Sequence, residues 1–126
     1  MDLKDYFENT RGFGVLATAD AEGAVDVAVY ARPHVVDEGM VAFIMADRLS
    51  HRNVQSNPHA AYLFREAGEG YHGKRLYLTR VKEETDPEKI ASLRRRTTPK
   101  GCEEAGGEPR YLVTFRIDRV RPLVGD

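Results

Sequence analysis

The fold is decided by residues 41–64, which are VAFIMADRLSHRNVQSNPHAAYLF. The apolar run Val41–Met45 is typical of a buried strand, and a second apolar run closes the stretch. Between them, residues 46–53 hold two arginines, a serine, a histidine and an asparagine. Ser50 is a favoured N-cap residue, which predicts a short helix that runs to about Ser56 and ends at an Asn-Pro pair. A helix amino end carries unpaired N–H groups and a partial positive charge, so this segment is a candidate site for an anion such as phosphate.

The bulk properties predict one cytoplasmic domain. A chain of 126 residues suits a single domain, residues 1–126, with a core that needs no disulfide or metal. Nineteen basic and twenty acidic side chains leave a net charge of -1, which argues against nucleic acid or an anionic membrane as a partner. The single cysteine, Cys102, has no partner for a disulfide. Neither a signal peptide nor an apolar run of about 20 residues is present, so we expect no membrane association.

Alternation of apolar and polar residues predicts further strands on both sides of the deciding stretch. A short helix is expected behind Asp2, and another is expected to begin at Asp86-Pro87 and to end among Arg94–Arg96. Free sheet edges are a liability, and closure into a small barrel removes them. The expected fold is therefore mainly β with a few short helices, as a six- to seven-stranded antiparallel barrel. The predicted strands are Phe13–Thr18, Val25–Ala31, His34–Val36, Met40–Met45, His59–Arg65, Tyr71–Glu83 and Tyr111–Ile117.

Three segments carry a resemblance to a known family. They are the strand Gly12–Thr18, the hairpin into Ala24–Val29 and, above all, residues 43–63. In this order and spacing the chain resembles the pyridoxamine 5'-phosphate oxidase-like flavoproteins, which are FMN-binding split β-barrels. The resemblance implies a homodimer with the FMN pocket at the subunit interface, and an oxidoreductase that acts on a small-molecule redox substrate.

The resemblance also implies the cofactor-binding residues, and at two of them it agrees with the chemistry of the side chains. Arg48 is expected to make charge-assisted contacts to the FMN phosphate, and Ser50 to add a hydroxyl group beside the helix amino end. Main-chain groups of Met45 and Ala46 are expected to touch one edge of the flavin ring. The remaining expected contacts are Val27, Ala28, Val29 and Tyr30 along the ring, and Leu49, His51 and Asn53 near the phosphate or ribityl chain. Arg52 is equally consistent with a solvent-facing position.

Two departures from the family pattern bear on activity. The chain has no tryptophan and ends soon after Arg121-Pro122, without the C-terminal substrate-binding region of the vitamin B6 oxidases. We therefore expect that the protein is not a true vitamin B6 oxidase. Many family members place a lysine after the phosphate-binding hydroxyl, where this chain offers arginines with a different hydrogen-bonding geometry. The sequence identifies no side chain as a catalytic acid or base, so it does not decide whether the protein turns over a substrate or only binds flavin.

Other functions remain open at this point. The same barrel could be a non-enzymatic module that stores or senses a flavin, a deazaflavin or haem, and haem would require an axial histidine. A barrel with exposed tyrosines could bind single-stranded nucleic acid, although the net charge is unfavourable. Arg94–Arg96 are interpreted as a solvated helix end, Cys102 as an inert thiol, and no metal site is expected. The candidate axial histidines are His34, His51, His59 and His72.

Overall fold

The computed structural model describes residues 2–93 and 110–125, which form seven strands and three short helices. The strands make one antiparallel sheet in the order β2-β1-β5-β6-β7-β4-β3. This architecture confirms the predicted mainly β fold of the split-barrel type. The elements in chain order are α1 (Leu3–Asn9), β1 (Gly12–Ala19), β2 (Val25–Val29), β3 (His34–Asp37), β4 (Met40–Ala46), α2 (Leu49–Ser56), β5 (His59–Glu66), β6 (Gly73–Glu84), α3 (Pro87–Leu93) and β7 (Arg110–Pro122).

The sheet curls around a core of aromatic and aliphatic side chains. Phe43 on β4 and Tyr62 on β5 lie 5.0 Å apart between ring centroids, although β6 and β7 separate their strands in the sheet. The Tyr62 hydroxyl donates a 3.0 Å hydrogen bond to the carbonyl oxygen of Tyr30, which follows β2. These contacts cross the inside of the sheet, and they show that its inner face closes on itself.

Some predicted strand limits differ from the structure. β2 ends at Val29, two residues earlier than expected, and β6 begins at Gly73 instead of Tyr71. β7 continues to Pro122, well beyond its apolar alternation, because it pairs with the long strand β6 through two register shifts. Val81 lies at one of these shifts and is 40% exposed.

Helix α2 begins earlier than the capping signal predicts. Its N-cap is Arg48, which has an extended backbone with φ -132° and ψ -171° and forms no side-chain capping hydrogen bond. The Arg48 N–H bonds to the Ala46 carbonyl at 2.8 Å, so the chain turns into the helix directly after β4. The prediction of Ser50 as N-cap is wrong, because Ser50 lies within the first helical turn with its side chain packed inward at 5% exposure.

Helix α1 closes one end of the barrel. Asp2 caps it by accepting a 3.0 Å hydrogen bond from the Lys4 N–H, and Phe7 is fully buried in the core. The Arg32 guanidinium donates to the carbonyls of Phe7 and Thr10 at 2.8 and 2.9 Å, so it satisfies the free carbonyls at the end of the helix.

Helix α3 covers only one part of the outer sheet surface. Ile90 packs against Ala42 of β4 and Leu112 of β7, in a cluster separate from the main core. Within residues 2–93 and 110–125, no helix has both the length and the apolar character needed to cross a membrane. The predicted helix end at Arg94–Arg96, the thiol of Cys102 and the rest of residues 97–109 lie outside the described residues.

The outer surface of β1, β2 and β5 stays uncovered by the described helices. Strand pairing aligns Val15 of β1 with Val29 of β2 and with Leu63 of β5, so their side chains share one face. We name this surface the valine face. Its exposed members are Phe13, Val25, Val27, Val29 and Leu63, with exposures of 54%, 81%, 67%, 43% and 38%.

Candidate functional site

The amino end of α2 is open toward solvent. The helix has eight residues, no side chain caps it, and no acidic residue lies in its first turn. The first N–H groups of an α-helix have no partners within the helix, and together with the helix dipole they give this end a partial positive charge. The end of α2 is therefore suited to an anion.

Two of the predicted phosphate ligands lie at this helix end. Arg48 is the exposed N-cap residue, and the Ser50 side chain follows in the first turn. Arg52 is one turn further on, with 69% of its side chain exposed and its Nε 3.9 Å from Asp47 Oδ1. Leu49 is 52% exposed. Arg48 and Ser50 thus both belong to the start of α2, where Arg48 is exposed and Ser50 is buried, while Arg52 is oriented toward solvent and Asp47.

The helix is anchored to the barrel by a buried polar contact and by the preceding strand. Asn53 Nδ2 donates a 3.0 Å hydrogen bond to Thr18 Oγ1 on β1, and both side chains are buried. The Met45 side chain is fully buried in the core, while Ala46 is partly exposed at the end of β4. A ligand beside the loop could therefore contact Met45 and Ala46 through main-chain groups, as the resemblance implies.

Strand β2 forms a second wall next to α2, since α2 packs against β1, β2 and β4. Val27 and Val29 are exposed on the valine face, whereas Ala28 lies on the opposite face of the strand. Tyr30 is held at both main-chain groups, because its N–H donates to Gly14 at 3.1 Å and its carbonyl accepts from Tyr62. The structure brings the predicted ring-binding strand beside the phosphate-binding helix, with the strand's side chains divided between two faces.

His51 has partners that its sequence position does not reveal. Its Nε2 lies 2.8 Å from Glu83 Oε1, and its ring stacks on Tyr111 with centroids 4.0 Å apart and planes 12° apart. Gln55, one turn later in α2, donates to the same Glu83 oxygen at 2.7 Å. The ring is thus held between α2, β6 and β7, and a contact between His51 and phosphate or ribityl chain stays a prediction.

Sequence reasoning did not identify Thr18, Glu83, Gln55 or Tyr111 as parts of this region. Each belongs to an element whose sequence pattern is dominated by strand or helix periodicity. Glu83 is the 32nd residue after His51 along the chain, so only the pairing of strands brings the two together. A sequence signal was available only for the i, i+4 relation of His51 and Gln55 on one helix face.

A second polar group lies on the outer side of the sheet, away from α2. Thr79 Oγ1 donates a 2.5 Å hydrogen bond to Asp118 Oδ2 and lies 3.4 Å from His59 Nδ1. The hydrogen bond from Thr79, followed by that from Arg116, holds the pKa of the Asp118 carboxyl below its usual range. If the Thr79 hydroxyl donates to Asp118, its oxygen accepts from the His59 Nδ1–H, and the His59 Nε2 lone pair is left available.

The fold has well-matched relatives among solved structures. No protein-family model matches the sequence, and no curated protein matches it. An FMN-binding protein from Syntrophomonas wolfei superposes with a TM-score of 0.77, at 15% identity over 98% of this chain and 84% of the other. HutZ, the heme storage protein of Vibrio cholerae, superposes with a TM-score of 0.68, at 18% identity over 97% and 95% of the two chains.

A third similar structure is that of a protein described as a pyridoxamine 5'-phosphate oxidase. A candidate pyridoxamine 5'-phosphate oxidase from Lactobacillus delbrueckii superposes with a TM-score of 0.64, at 17% identity over 96% of this chain and 92% of the other. At identities this low, a structural likeness establishes the fold and leaves the activity to be argued from the site. The chain has the fold of the pyridoxamine 5'-phosphate oxidase-like split barrels.

Proposed function

We propose that the protein is an FMN-binding flavoprotein that works as a homodimeric oxidoreductase on a small-molecule substrate in the cytoplasm. The observation that carries this proposal is the uncapped amino end of α2, with Arg48 and Ser50 beside it and the apolar strand β2 as its neighbour. This arrangement offers a phosphate-binding end and an apolar wall within one site.

The chemistry of the donors fits a phosphate monoester. Backbone N–H groups at a helix start, an arginine and a hydroxyl are the usual ligands of a bound phosphate. No acidic residue within the first turn of α2 opposes the anion. Asp47, just before the helix, is the nearby acid, and its carboxylate is within ion-pair distance of Arg52 and His51.

The adjoining strand fits a flat, largely apolar ring. In the proposed complex, residues 27–30 run along the isoalloxazine, and the main chain at Met45 and Ala46 borders its other edge. When bound, FMN supplies the electron-transfer chemistry, and the protein supplies binding, orientation and exclusion of water. Arg48 and Ser50 hold the phosphate, while β2 keeps the ring against an apolar surface.

We propose a homodimer because one part of the outer sheet surface is apolar and is not covered by any described helix. α3 covers β4 and β7, whereas the valine face has no covering element among the described residues. Val25, Val27 and Val29 side by side with Phe13 and Leu63 form an apolar area of the kind that marks an interface. A second copy of the chain would cover this face, and Val27 and Val29 would then lie where both the partner and the flavin ring are close.

The first experiment is the absorption spectrum of the purified protein, followed by titration with FMN. We expect a yellow protein, or one that takes up FMN with a shifted and quenched flavin spectrum, and a dimer by light scattering. A colourless protein whose titration with FMN changes neither absorption nor fluorescence would contradict the proposal. If the protein binds a deazaflavin more tightly than FMN, the deazaflavin and not FMN would be identified as its cofactor.

A haem-binding module is the second candidate, and the arrangement at His59 favours it. Thr79, which donates to Asp118, lies 3.4 Å from His59 Nδ1, and this contact would orient the ring so that Nε2 can act as an axial ligand. Metal-binding histidines commonly use their other ring nitrogen in a hydrogen bond that fixes the ring in this way. Titration with haemin distinguishes the two candidates, since axial ligation produces an intense Soret band. The band should be lost in His59→Ala and kept in His72→Ala, a variant of another exposed histidine.

A further inference from the structure

Four arginines share the outer surface of β5, β6 and β7. Strand pairing aligns Leu63 with Arg75 and Arg75 with Arg121. Successive side chains of a strand point to opposite faces, and the next residue on β6, Leu76, is buried in the core, so Arg75 lies on the outer face. Because Leu63 belongs to the valine face, the basic residues continue the same outer surface beyond it. We name this group the arginine strip, and its members are Arg65, Arg75, Arg119 and Arg121.

Backbone carbonyl groups hold two members of the strip in place. Arg75 Nε donates a 2.8 Å hydrogen bond to the carbonyl of Pro122, and its Nη2 donates to the carbonyl of Gly125. Arg65 Nη2 donates to the carbonyl of Gly70 at 2.8 Å. These carbonyl oxygens carry no formal charge, so they restrict the two guanidinium groups and leave their positive charge unbalanced.

Aromatic rings lie beneath two guanidinium groups of the strip. The Arg121 guanidinium carbon lies 5.5 Å from the ring centroid of Tyr77, and that of Arg65 lies 5.4 Å from the ring centroid of Tyr71. A cation over an aromatic face is attracted by the ring and keeps its charge. Arg119, the remaining member, is exposed on β7 opposite Tyr77 of β6. Carbonyl oxygens and aromatic rings thus orient most of the strip without neutralising it.

The strip has no carboxylate to balance it. Within residues 2–93 and 110–125, no Asp or Glu forms an ion pair with any of its members. The acidic residues next to it in the sequence have other partners. Asp118 accepts hydrogen bonds from Arg116 at 2.8 Å and from Thr79 at 2.5 Å. Glu66 accepts one from the Tyr6 hydroxyl at 2.7 Å. The whole chain has a net charge of -1, so positive charge is concentrated on this one surface.

We propose that the arginine strip is a docking surface for an acidic segment of another protein. Cations that are held in place and not neutralised attract an anionic partner, and less conformational entropy is lost when it binds. Arginine suits this partner because its planar guanidinium matches a carboxylate with two parallel hydrogen bonds. The strip contains no residue of the proposed cofactor site, so this inference does not depend on FMN.

The strand geometry sets the form of the segment. Arg119 and Arg121 lie on the same face of β7, two residues apart, and two residues of a strand rise about 6.8 Å. Alternate side chains of an extended peptide have the same spacing, so acidic residues at every second position can face both arginines. Arg75 is the paired residue of Arg121 on β6, with about 4.8 Å between the strands, and it widens the basic surface.

Single-stranded nucleic acid matches the strip less well. Proteins that bind it combine a basic groove with aromatic rings on which the bases stack. The rings of Tyr77 and Tyr71 are each covered on one face by an arginine, and Tyr77 is partly buried in the sheet. The net charge of -1 also gives no long-range attraction to a polyanion. Both observations favour a short acidic segment, which needs only local charge.

A synthetic peptide of four Glu-Ser repeats with blocked ends tests the proposal. Amide ¹H–¹⁵N chemical shifts of the whole protein, without added FMN, are followed during titration with this peptide. We expect the signals of Arg75, Arg119, Arg121 and their neighbours on β6 and β7 to move, and a Gln-Ser peptide of equal length to leave them unchanged. Signals of the strip that stay in place at saturating Glu-Ser peptide would overturn the proposal.

A pair of charge-matched variants shows whether the position of the arginines matters. Arg119→Gln/Arg121→Gln should raise the peptide Kd by about tenfold, because two exposed ion pairs are lost. Arg52→Gln/Lys82→Gln removes the same charge from side chains that are 69% and 58% exposed elsewhere, and its Kd should change by less than about threefold. Equal losses in the two double variants would show that only net charge attracts the peptide, which contradicts a docking surface.

Two further measurements distinguish other occupants of the strip. Pentathymidylate has four phosphates, which match the charge of the Glu-Ser peptide, and we expect it to bind more weakly. Tighter binding of this oligonucleotide at the strip would identify nucleic acid as the partner and overturn the proposal. In light scattering, Arg119→Gln/Arg121→Gln should have the same mass as the wild type. A lower mass would assign the strip to a contact between two copies of the chain.

Discussion

Asn53 of α2 donates a hydrogen bond of 3.0 Å to Thr18 of β1, and both side chains are buried. This contact fixes the candidate phosphate-binding helix to the first strand of the barrel. Removal of one partner leaves the other polar group buried without a hydrogen bond, which costs about 1–3 kcal/mol. We expect Thr18→Val to lower the free energy of unfolding by this amount in urea denaturation.

The matched control for that variant is Thr85→Val, at an exposed position between β6 and α3. Its stability should stay within about 0.5 kcal/mol of the wild type. The double variant Thr18→Val/Asn53→Ala should be less destabilised than the sum of the single changes, because the residues interact. Strict additivity in this cycle would show that the hydrogen bond does not hold α2 in place.

The phosphate site is tested by the double variant Arg48→Ala/Ser50→Ala. Each replacement removes a charge-assisted or hydroxyl contact worth about 1–3 kcal/mol, and every 1.4 kcal/mol is a tenfold change in Kd. The FMN Kd, measured by quenching of flavin fluorescence, should rise by about a hundredfold. Both side chains lie at the amino end of α2, so the secondary structure by circular dichroism should be kept.

Arg52→Ala is the control for the loss of positive charge. Arg52 belongs to the same helix, but 69% of its side chain is exposed and it lies near Asp47. Exposed ion pairs contribute roughly 0–1 kcal/mol, so its FMN Kd should change by less than about fivefold. A larger loss of FMN affinity in Arg52→Ala than in Arg48→Ala/Ser50→Ala would show that the phosphate does not bind beside Arg48 and Ser50.

Local patterns predicted the strands and the fold better than they predicted the site. Alternation identified seven strands, and the pattern is clearest where a strand buries one face, as with Leu16 on β1 and Leu76 on β6. β2 and β3 contain no buried residue, and the alternating valines of β2 are exposed. β7 was predicted too short, since Asp118 and Arg121 interrupt its apolar alternation while the backbone continues to pair with β6. The backbone ladder needs no apolar side chains, so sequence pattern does not limit its length.

The start of α2 shows why the site was harder to predict. Ser50 carries the local capping signal, but the turn of Arg48 back to Ala46 begins the helix earlier and places Ser50 inside it. The pairs Asn53 with Thr18 and His51 with Glu83 join residues that are 35 and 32 positions apart. Such pairs are set by strand order, which single-residue preferences do not contain.

Tyr6 provides a prediction for alkaline pH. Burial, and then its 2.7 Å hydrogen bond to Glu66, raise the pKa of the Tyr6 hydroxyl above its ordinary value. A raised pKa means that the folded state keeps the proton longer than the unfolded state. This contribution is complete below about pH 10, and it is lost as the pH rises further, because the unfolded chain gains stability by ionising.

Urea denaturation at a series of alkaline pH values measures this effect. The free energy of unfolding of the wild-type protein should fall above about pH 10, and Tyr6→Phe should show a shallower decline. Tyr71→Phe, at a residue 73% exposed, is the control and should follow the wild type. Identical slopes in wild type and Tyr6→Phe would mean that Tyr6 titrates alike in both states.

The valine face gives the test of the proposed dimer. Val27 is 67% exposed on an edge strand, so Val27→Asp is not expected to disturb the core of the subunit. At an interface between two copies the same carboxylate would be buried, where an unpaired charge is strongly unfavourable. We expect the variant to be monomeric in light scattering and to bind FMN more weakly, with an unchanged circular dichroism spectrum. Val124→Asp, at a residue 64% exposed near the end of the chain, should remain dimeric and bind FMN normally. A Val27→Asp protein that is still a dimer would place the interface on another face, because a contact through β2 could not accept two facing aspartates at this position.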